Sequence, residues 1–117
     1  MEIKTIKIPE ISKKAFEVAT SNRNVLRMHE YQLAVLKISD TVEEGDMQEQ
    51  AQASFTTLKE MLSFIRAVLK LDDEAYDKLL DLDNERTQEI AEKLVGYMYG
   101  LTDEQLENAA GETGPKE

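Results

Sequence analysis

Residues 51–69, AQASFTTLKEMLSFIRAVL, carry the strongest periodic pattern in the sequence and decide its fold class. Apolar residues recur there at alternating spacings of four and three, at Ala51, Phe55, Leu58, Leu62, Ile65 and Leu69. This spacing places all of them on one face of an α-helix. Met61, Phe64 and Val68 widen that face, so we predict a central helix that packs on two neighbours. A coiled-coil seam with another chain is the alternative, although the run is shorter than three heptads.

A second long helix is predicted before it, with Ser21-Asn22 as its N-cap and an end near Thr41. Its apolar residues step by three and four, at Met28, Tyr31, Val35, Ile38 and Val42, with Leu26, Leu33 and Leu36 beside them. The following Glu43-Glu44-Gly45-Asp46 breaks the pattern, and Gly45 is the expected point of reversal.

Acidic residues mark the starts of the later helices, where carboxylates cap backbone amides and complement the helix dipole. Asp72-Asp73-Glu74 predicts a short helix through Leu80, and Asp81 to Glu85 opens another one that Gly100 ends in a left-handed conformation. Thr102 and Gln105 form a capping box before a last short helix that contains Leu106.

The first twenty residues have a different pattern from the helical part. Residues 2–8 are rich in β-branched side chains, with Ile6 and Ile8 on one face, and residues 15–20 alternate apolar and polar side chains. We therefore predict an α+β fold that is predominantly α-helical, with an N-terminal β-hairpin followed by four to five helices. Residues 1–110 form a single domain, with the hairpin in 1–20 and the helical part in 21–110, and residues 111–117 form a disordered tail.

The net charge of −10 excludes several classes of partner. A chain this acidic repels phosphate backbones and anionic lipids, so we expect neither nucleic-acid nor membrane binding. The excess is uneven: residues 1–37 hold seven basic and four acidic side chains, and residues 38–117 hold seven and twenty. Attraction between unlike ends of two copies would give a homo-oligomer, whereas a solvated acidic helical surface is the plainer explanation.

No catalytic, cofactor or metal site is expected from the sequence. His29 is the single histidine, the chain has no cysteine, and no phosphate-binding glycine loop is present. Residues 81–92 place oxygen-bearing side chains at the ligand positions of a calcium loop, but Arg86 stands where such loops need glycine. We therefore predict a non-enzymatic interaction protein without a cofactor or bound metal.

Two stretches resemble the tail assembly chaperones of long-tailed phages and prophages of Gram-positive bacteria. One is residues 19–40, with the helix entry SNRN, and the other is residues 64–106, with LKLDDEAYDKL, DLDNERTQEIAEKLV and GLTDEQLE. The resemblance implies a protein of the bacterial host cytoplasm that is absent from the mature virion. It implies binding to the tape-measure protein, which it keeps soluble, and recruitment of tail-tube protein. In that family a longer product is often made by ribosomal frameshifting.

We expect the partner to be contacted by one flank of the central helix and two tyrosines, namely Met61, Phe64, Val68, Tyr76 and Tyr97. Covering an apolar stripe on a tape-measure helix would remove that surface from water. The competing hypothesis is a small acidic regulator or inhibitor that presents carboxylates to a basic protein surface. That function would require the acidic residues to cluster on one face.

Overall fold

The computed structural model describes residues 3–42, 46–102 and 104–105, and it has the predicted α+β architecture. An antiparallel two-stranded hairpin precedes four helices, so the predicted fold class is confirmed. Within the described residues, no helix combines the length and apolar composition that a membrane span requires.

The hairpin consists of β1 (Ile3–Ile6) and β2 (Phe16–Ala19), with Ile6 opposite Phe16. Val18 is buried and Glu17 is exposed, as the alternating pattern predicts. The first strand is shorter than predicted. It ends at Ile6 because the chain turns at Ile8, whose carbonyl accepts hydrogen bonds from the amides of Ile11 and Ser12 at 2.9 and 3.0 Å.

Helix α1 (Asn22–Val42) begins at the predicted cap. The Ser21 hydroxyl accepts from the Asn24 amide at 3.3 Å, and the Asn24 side chain donates to the Ala19 carbonyl at 2.8 Å. Asn24 is buried, and these contacts satisfy it while tying the helix to the end of the hairpin.

Helix α2 (Met47–Leu69) begins with a capping box that is not among the predicted helix caps. The Asp46 carboxylate accepts from the Glu49 amide at 2.9 Å, and the Glu49 carboxylate accepts from the Asp46 amide at 3.2 Å. The helix ends at Lys70, which adopts the left-handed conformation at φ 55°. Gly45, the predicted reversal point, lies outside the described residues.

Helices α3 (Asp73–Leu80) and α4 (Asn84–Met98) begin at acidic caps, as predicted. Asp72 accepts from the Ala75 amide and Asp83 from the Arg86 amide, both at 2.8 Å. Gly100, at φ 85°, follows α4 in a Schellman motif, because the amide of Gly100 donates to Tyr97 and that of Leu101 to Gly96.

The capping box between Thr102 and Gln105 is also present. The Thr102 amide donates to the Gln105 side chain at 2.8 Å, and the Gln105 amide donates to the Thr102 hydroxyl at 3.2 Å. Leu106, which the predicted last helix contains, lies outside the described residues.

One apolar cluster joins the hairpin to the helices. It includes residues of both parts that are at most 4% exposed, among them Ile6, Ile8, Val18, Met28, Ile65, Leu79 and Leu94. The hairpin thus covers one side of the helical part. The predicted domain end at residue 110 and the tail of residues 111–117 lie outside the described residues, so both stay predictions.

Candidate partner-binding surface

Helices α1 and α2 pack side by side in opposite directions. The Arg27 guanidinium donates to the Ala67 carbonyl at 3.3 Å, and the Tyr31 ring stacks on Phe64 with 4.8 Å between centroids. Further along, Val35 and Ile38 of α1 lie across from residues 53–58 of α2. This pairing positions the surface described next.

Burial changes abruptly along α2, although its apolar spacing does not. Leu62, Ile65 and Leu69 of the predicted face are buried, whereas Phe55 is 57% exposed and Leu58 is 37% exposed. The buried residues of the helix begin at Met61. Half of the predicted core face therefore lies at the surface.

We call the exposed continuation of this face the α2 stripe, which consists of Met47, Ala51, Phe55 and Leu58. At 100° per residue these four side chains leave the helix within a narrow arc. Met47 is 84% exposed, which is the largest exposure among the large apolar residues described. Exposed apolar side chains in register along one helix form a surface suited to packing against another apolar surface.

Beside the α2 stripe lies an open cleft of about 560 Å³ between α1, α2 and the start of α4, which we call the interhelical groove. Its apolar lining residues are Val35, Ile38, Ala53, Leu58 and Met61. Its polar lining residues are Ser39, Gln50, Ser54, Thr57, Asn84 and Gln88. Most of the apolar residues are buried or half-buried, and most of the polar ones are exposed, so the groove has an apolar floor and a polar rim.

A second apolar stripe lies on the solvent side of α1. Leu26, Leu33 and Leu36 are 63%, 66% and 62% exposed, whereas Met28 on the opposite side of the helix is fully buried. Glu30 and Lys37, also exposed, lie next to Leu33 on this face at helical spacing. We call these three leucines the α1 stripe.

The structure places most of the residues predicted to contact a partner inside the protein. Met61, Phe64 and Val68 are at most 5% exposed and pack in the core, so the flank expected to face outward is covered by the other elements. Tyr97 is 1% exposed, and its hydroxyl donates to the Thr5 carbonyl at 3.2 Å. Contact of these four side chains with a partner stays a prediction. In this conformation Phe64, Val68 and Tyr97 would be reached only if the core opened, whereas Met61 also lines the interhelical groove.

Tyr76, the fifth predicted contact residue, is half-buried at the edge of the core. The Arg66 guanidinium lies 4.4 Å from its ring centroid, and Arg66 also pairs with Asp73 at 2.6 Å. The ring is therefore fixed between α2 and α3. One face of it packs against a cation rather than facing solvent.

Leu58 belongs to both the α2 stripe and the groove, although the periodic pattern predicts it on the packed face of the central helix. A signal for exposure was nevertheless present. Residues 48–57 carry glutamine, serine and threonine on either side of the stripe, whereas Met61, Phe64 and Val68 broaden the apolar face further on. A narrow apolar arc is typical of a helix face at the surface, and a wide one is typical of a covered helix.

Several acidic side chains have structural partners within the chain. Asp72 and Asp83 cap helices, and Arg86 pairs with Glu10 at 2.9 Å and with Glu89 at 3.5 Å. The hydrogen bond from Arg86 holds the pKa of Glu10 below its usual range, and the same bond raises the pKa of Arg86. These contacts account for part of the acidic composition without an external basic partner.

Neither His29 nor Tyr31 is among the described residues that line the groove. His29 is exposed, and its ring meets that of Tyr99 edge to face with 6.0 Å between the ring centroids. Burial, and then the charge of Glu92, raise the pKa of Tyr31, which lies between α1 and the core. Among the described residues, no three acidic or histidine side chains are grouped as a metal would require.

Comparison with known proteins gives one match over nearly the whole chain. A family model described as phage tail assembly chaperone proteins matches residues 1–113. No curated protein and no solved structure shows significant similarity to the chain.

Proposed function

Because the chain belongs to the family of phage tail assembly chaperones, we propose that it binds the tape-measure protein during tail assembly. In this role it keeps the tape-measure protein soluble and helps to recruit tail-tube protein, acting in the cytoplasm of the bacterial host without entering the mature virion. The family is not a known class of enzymes, and its role implies protein partners.

The observation that supports this proposal best is the apolar surface formed by the α2 stripe and the interhelical groove. An unassembled tape-measure helix would expose apolar side chains at spacings of three and four, and such helices bind in apolar grooves. Removing apolar surface from water contributes about 25 cal/mol per Å², so covering even part of such a helix would favour binding. The net charge of −10 would keep the complex soluble.

Co-expression with the tape-measure protein of the same phage or prophage tests the proposal. We expect the tape-measure protein to be insoluble alone, and soluble and co-purifying when the wild-type chain is present. The double variant Phe55→Glu/Leu58→Glu should fold, since both side chains are exposed, but should lose this effect because two carboxylates would interrupt the apolar surface.

The matched control is Asn22→Glu/Ser63→Glu. Asn22 is exposed at the start of α1, Ser63 is exposed on a side of α2 that faces away from the groove, and the change adds the same two negative charges. The control should solubilise the tape-measure protein as well as the wild type does. A wild-type chain that neither binds nor solubilises the tape-measure protein would refute the proposed function.

A further inference from the structure

The described lining of the interhelical groove contains no charged residue, in a chain that is rich in charge. None of the described residues that line it is Asp, Glu, Lys, Arg or His, although charged residues make up 32% of the sequence. At that composition, a random set of eleven surface and half-buried residues would contain three or four charges. The groove thus differs from the rest of the molecule in the property that most affects which ligands it accepts.

We propose that the groove binds an amphipathic helix of another protein whose contact face is apolar and whose flanking residues are uncharged. This proposal rests on the proposed function, since the helix would then belong to the tape-measure protein. It adds a chemical criterion, an apolar face with uncharged flanks, for the segment of that long protein that would bind.

Desolvation is the physical reason for this selection. A lysine or glutamate brought against Val35, Ile38 and Met61 would lose hydration and gain no opposite charge among the lining residues. The rim instead offers hydroxyl and amide groups, which both donate and accept hydrogen bonds. The amides of Asn84 and Gln88 already bond to each other at 2.7 Å, which shows that the rim groups can reach partners of this type.

The occupant is expected to be a helix because of the backbone around the groove. All of the described lining residues lie on α1, α2 or α4, whose main-chain groups are bonded within their own helices. An extended segment would find no strand edge among the described lining residues, so its buried amides and carbonyls would lack main-chain partners and would depend on the few rim side chains. A helix satisfies its own backbone and presents only side chains.

A second copy of this chain fits the groove poorly. Two exposed apolar helix faces are described. Glu30 and Lys37 lie beside Leu33 on the α1 stripe, and the Lys59 ammonium lies 5.3 Å from the ring centroid of Phe55 on the α2 stripe. Docking either stripe of a second copy would bring charged side chains to a rim whose described residues are uncharged. The charge pattern therefore favours a different protein as the occupant.

Three synthetic helical peptides test the proposal by fluorescence anisotropy. All carry leucines at positions i, i+3, i+4 and i+7, and they differ in flanking residues, which are glutamine and serine, lysine, or glutamate. We expect the neutral peptide to bind with a dissociation constant that changes less than about twofold between 0.05 and 0.5 M NaCl. The lysine peptide, attracted at low salt by the net charge, should bind about tenfold more weakly than the neutral one at 0.5 M.

Two single variants locate the binding. Ser54→Lys and Gln88→Lys each place a charge on the rim at an exposed position. Each should raise the dissociation constant of the neutral peptide about tenfold. Ser63→Lys, on the opposite side of α2, should bind it as the wild type does. Circular dichroism should be used to check that each variant is folded before it is titrated.

Three results would overturn the inference. They are tighter binding of the lysine peptide than of the neutral peptide at 0.5 M salt, unchanged binding in both rim variants, and a dimer that either rim variant converts to monomer in sedimentation.

The experiments distinguish failure of the groove inference from failure of the proposed function. If the Ser54→Lys/Gln88→Lys double variant still solubilises the tape-measure protein, the function stands and the groove inference fails. If the neutral peptide binds but the tape-measure protein does not, the groove inference stands and the proposed function fails.

Discussion

Phe55 and Phe64 lie on the same helix but in opposite environments. Phe64 is 4% exposed and stacks on Tyr31, whereas Phe55 is 57% exposed and lies beside the Lys59 ammonium, 5.3 Å from its ring centroid. Both residues fit an apolar helical pattern. Their difference comes from what covers each end of α2.

Replacing each phenylalanine by alanine measures this difference. Phe64→Ala should lower the free energy of unfolding by about 3–5 kcal/mol, because it leaves a cavity in the core. Phe55→Ala should change it by less than about 1 kcal/mol, as expected for a largely exposed side chain. Urea denaturation of both variants checks the prediction, and similar losses for the two would show that α2 is buried evenly.

Lys70 and Gly100 both have positive φ angles, but only one of them is glycine. Lys70→Gly should raise the free energy of unfolding by about 0.5–1 kcal/mol, because glycine adopts the left-handed region without steric cost. Gly100→Ala should lower it by about 1 kcal/mol, since it places a Cβ in that conformation although no atom lies near enough to clash. Thermal unfolding measures both changes. If both substitutions raised stability, or both lowered it, the left-handed conformation assigned to these two residues would be contradicted.

The pair of Glu10 and Arg86 predicts a pH dependence of stability. Because the pKa of Glu10 in the folded chain lies below its ordinary value of 4.5, the bond to Arg86 stabilises the fold above that value. The contribution is lost as the pH falls through the lowered pKa. A carbon NMR titration of the Glu10 carboxyl should give a midpoint below 4.5, which should move back toward 4.5 in Arg86→Gln. An unchanged midpoint in that variant would show that Arg86 is not the cause.

At the scale of elements, the sequence predicts local features such as helix starts and ends. It does not predict which helix faces are covered by other elements. The acidic helix starts at residues 72–74 and 81–85 and the left-handed Gly100 depend on residues within a turn or two, so the sequence predicts them. The capping box of Asp46 and Glu49 is equally local but is not among the predicted caps. The side of α2 that faces solvent depends on where the hairpin and α4 pack. Periodicity shows which residues share a face, but Met61, Phe64 and Val68 show that it does not reveal which faces are buried.

The same limit applies to α1. Leu26, Leu33 and Leu36 widen the apolar pattern of this helix in the sequence, yet all three are exposed. The candidate groove could not be predicted at all. It depends on the distance between two helices and on the start of α4, which are far apart in the sequence.

The acidic helix caps should contribute to stability independently of any partner. Asp72→Ala and Asp83→Ala should each lower the free energy of unfolding by about 1 kcal/mol, because each leaves a first-turn amide without its acceptor. Asp77→Ala removes an exposed carboxylate within α3 that caps no helix, and should change stability by less than about 0.5 kcal/mol. Chemical denaturation compares the three, and equal effects would mean that net charge rather than capping is responsible.

At the scale of the whole molecule, the shared core predicts a single cooperative unit. Ile8, Ile11 and Val18 of the hairpin region are buried with Met28, Ile65 and Leu94 of the helices. Removal of residues 1–20 would expose those helical side chains, so the truncated chain should lose its cooperative unfolding. For the full chain, calorimetry and circular dichroism should report coincident thermal transitions. Two separate transitions would instead indicate a hairpin and a helical part that fold independently.

The two halves of α2, which differ in burial on either side of Met61, should also differ in how fast their backbone amides exchange with solvent deuterium. Amides of residues 61–69 lie in the core and should exchange only when the whole fold opens, whereas those of residues 50–58 depend on exposed turns that open locally. The outer turns of α2 could therefore unwind and re-form while the core stays closed. A surface that reshapes in this way would accommodate successive, unequal segments of one long protein.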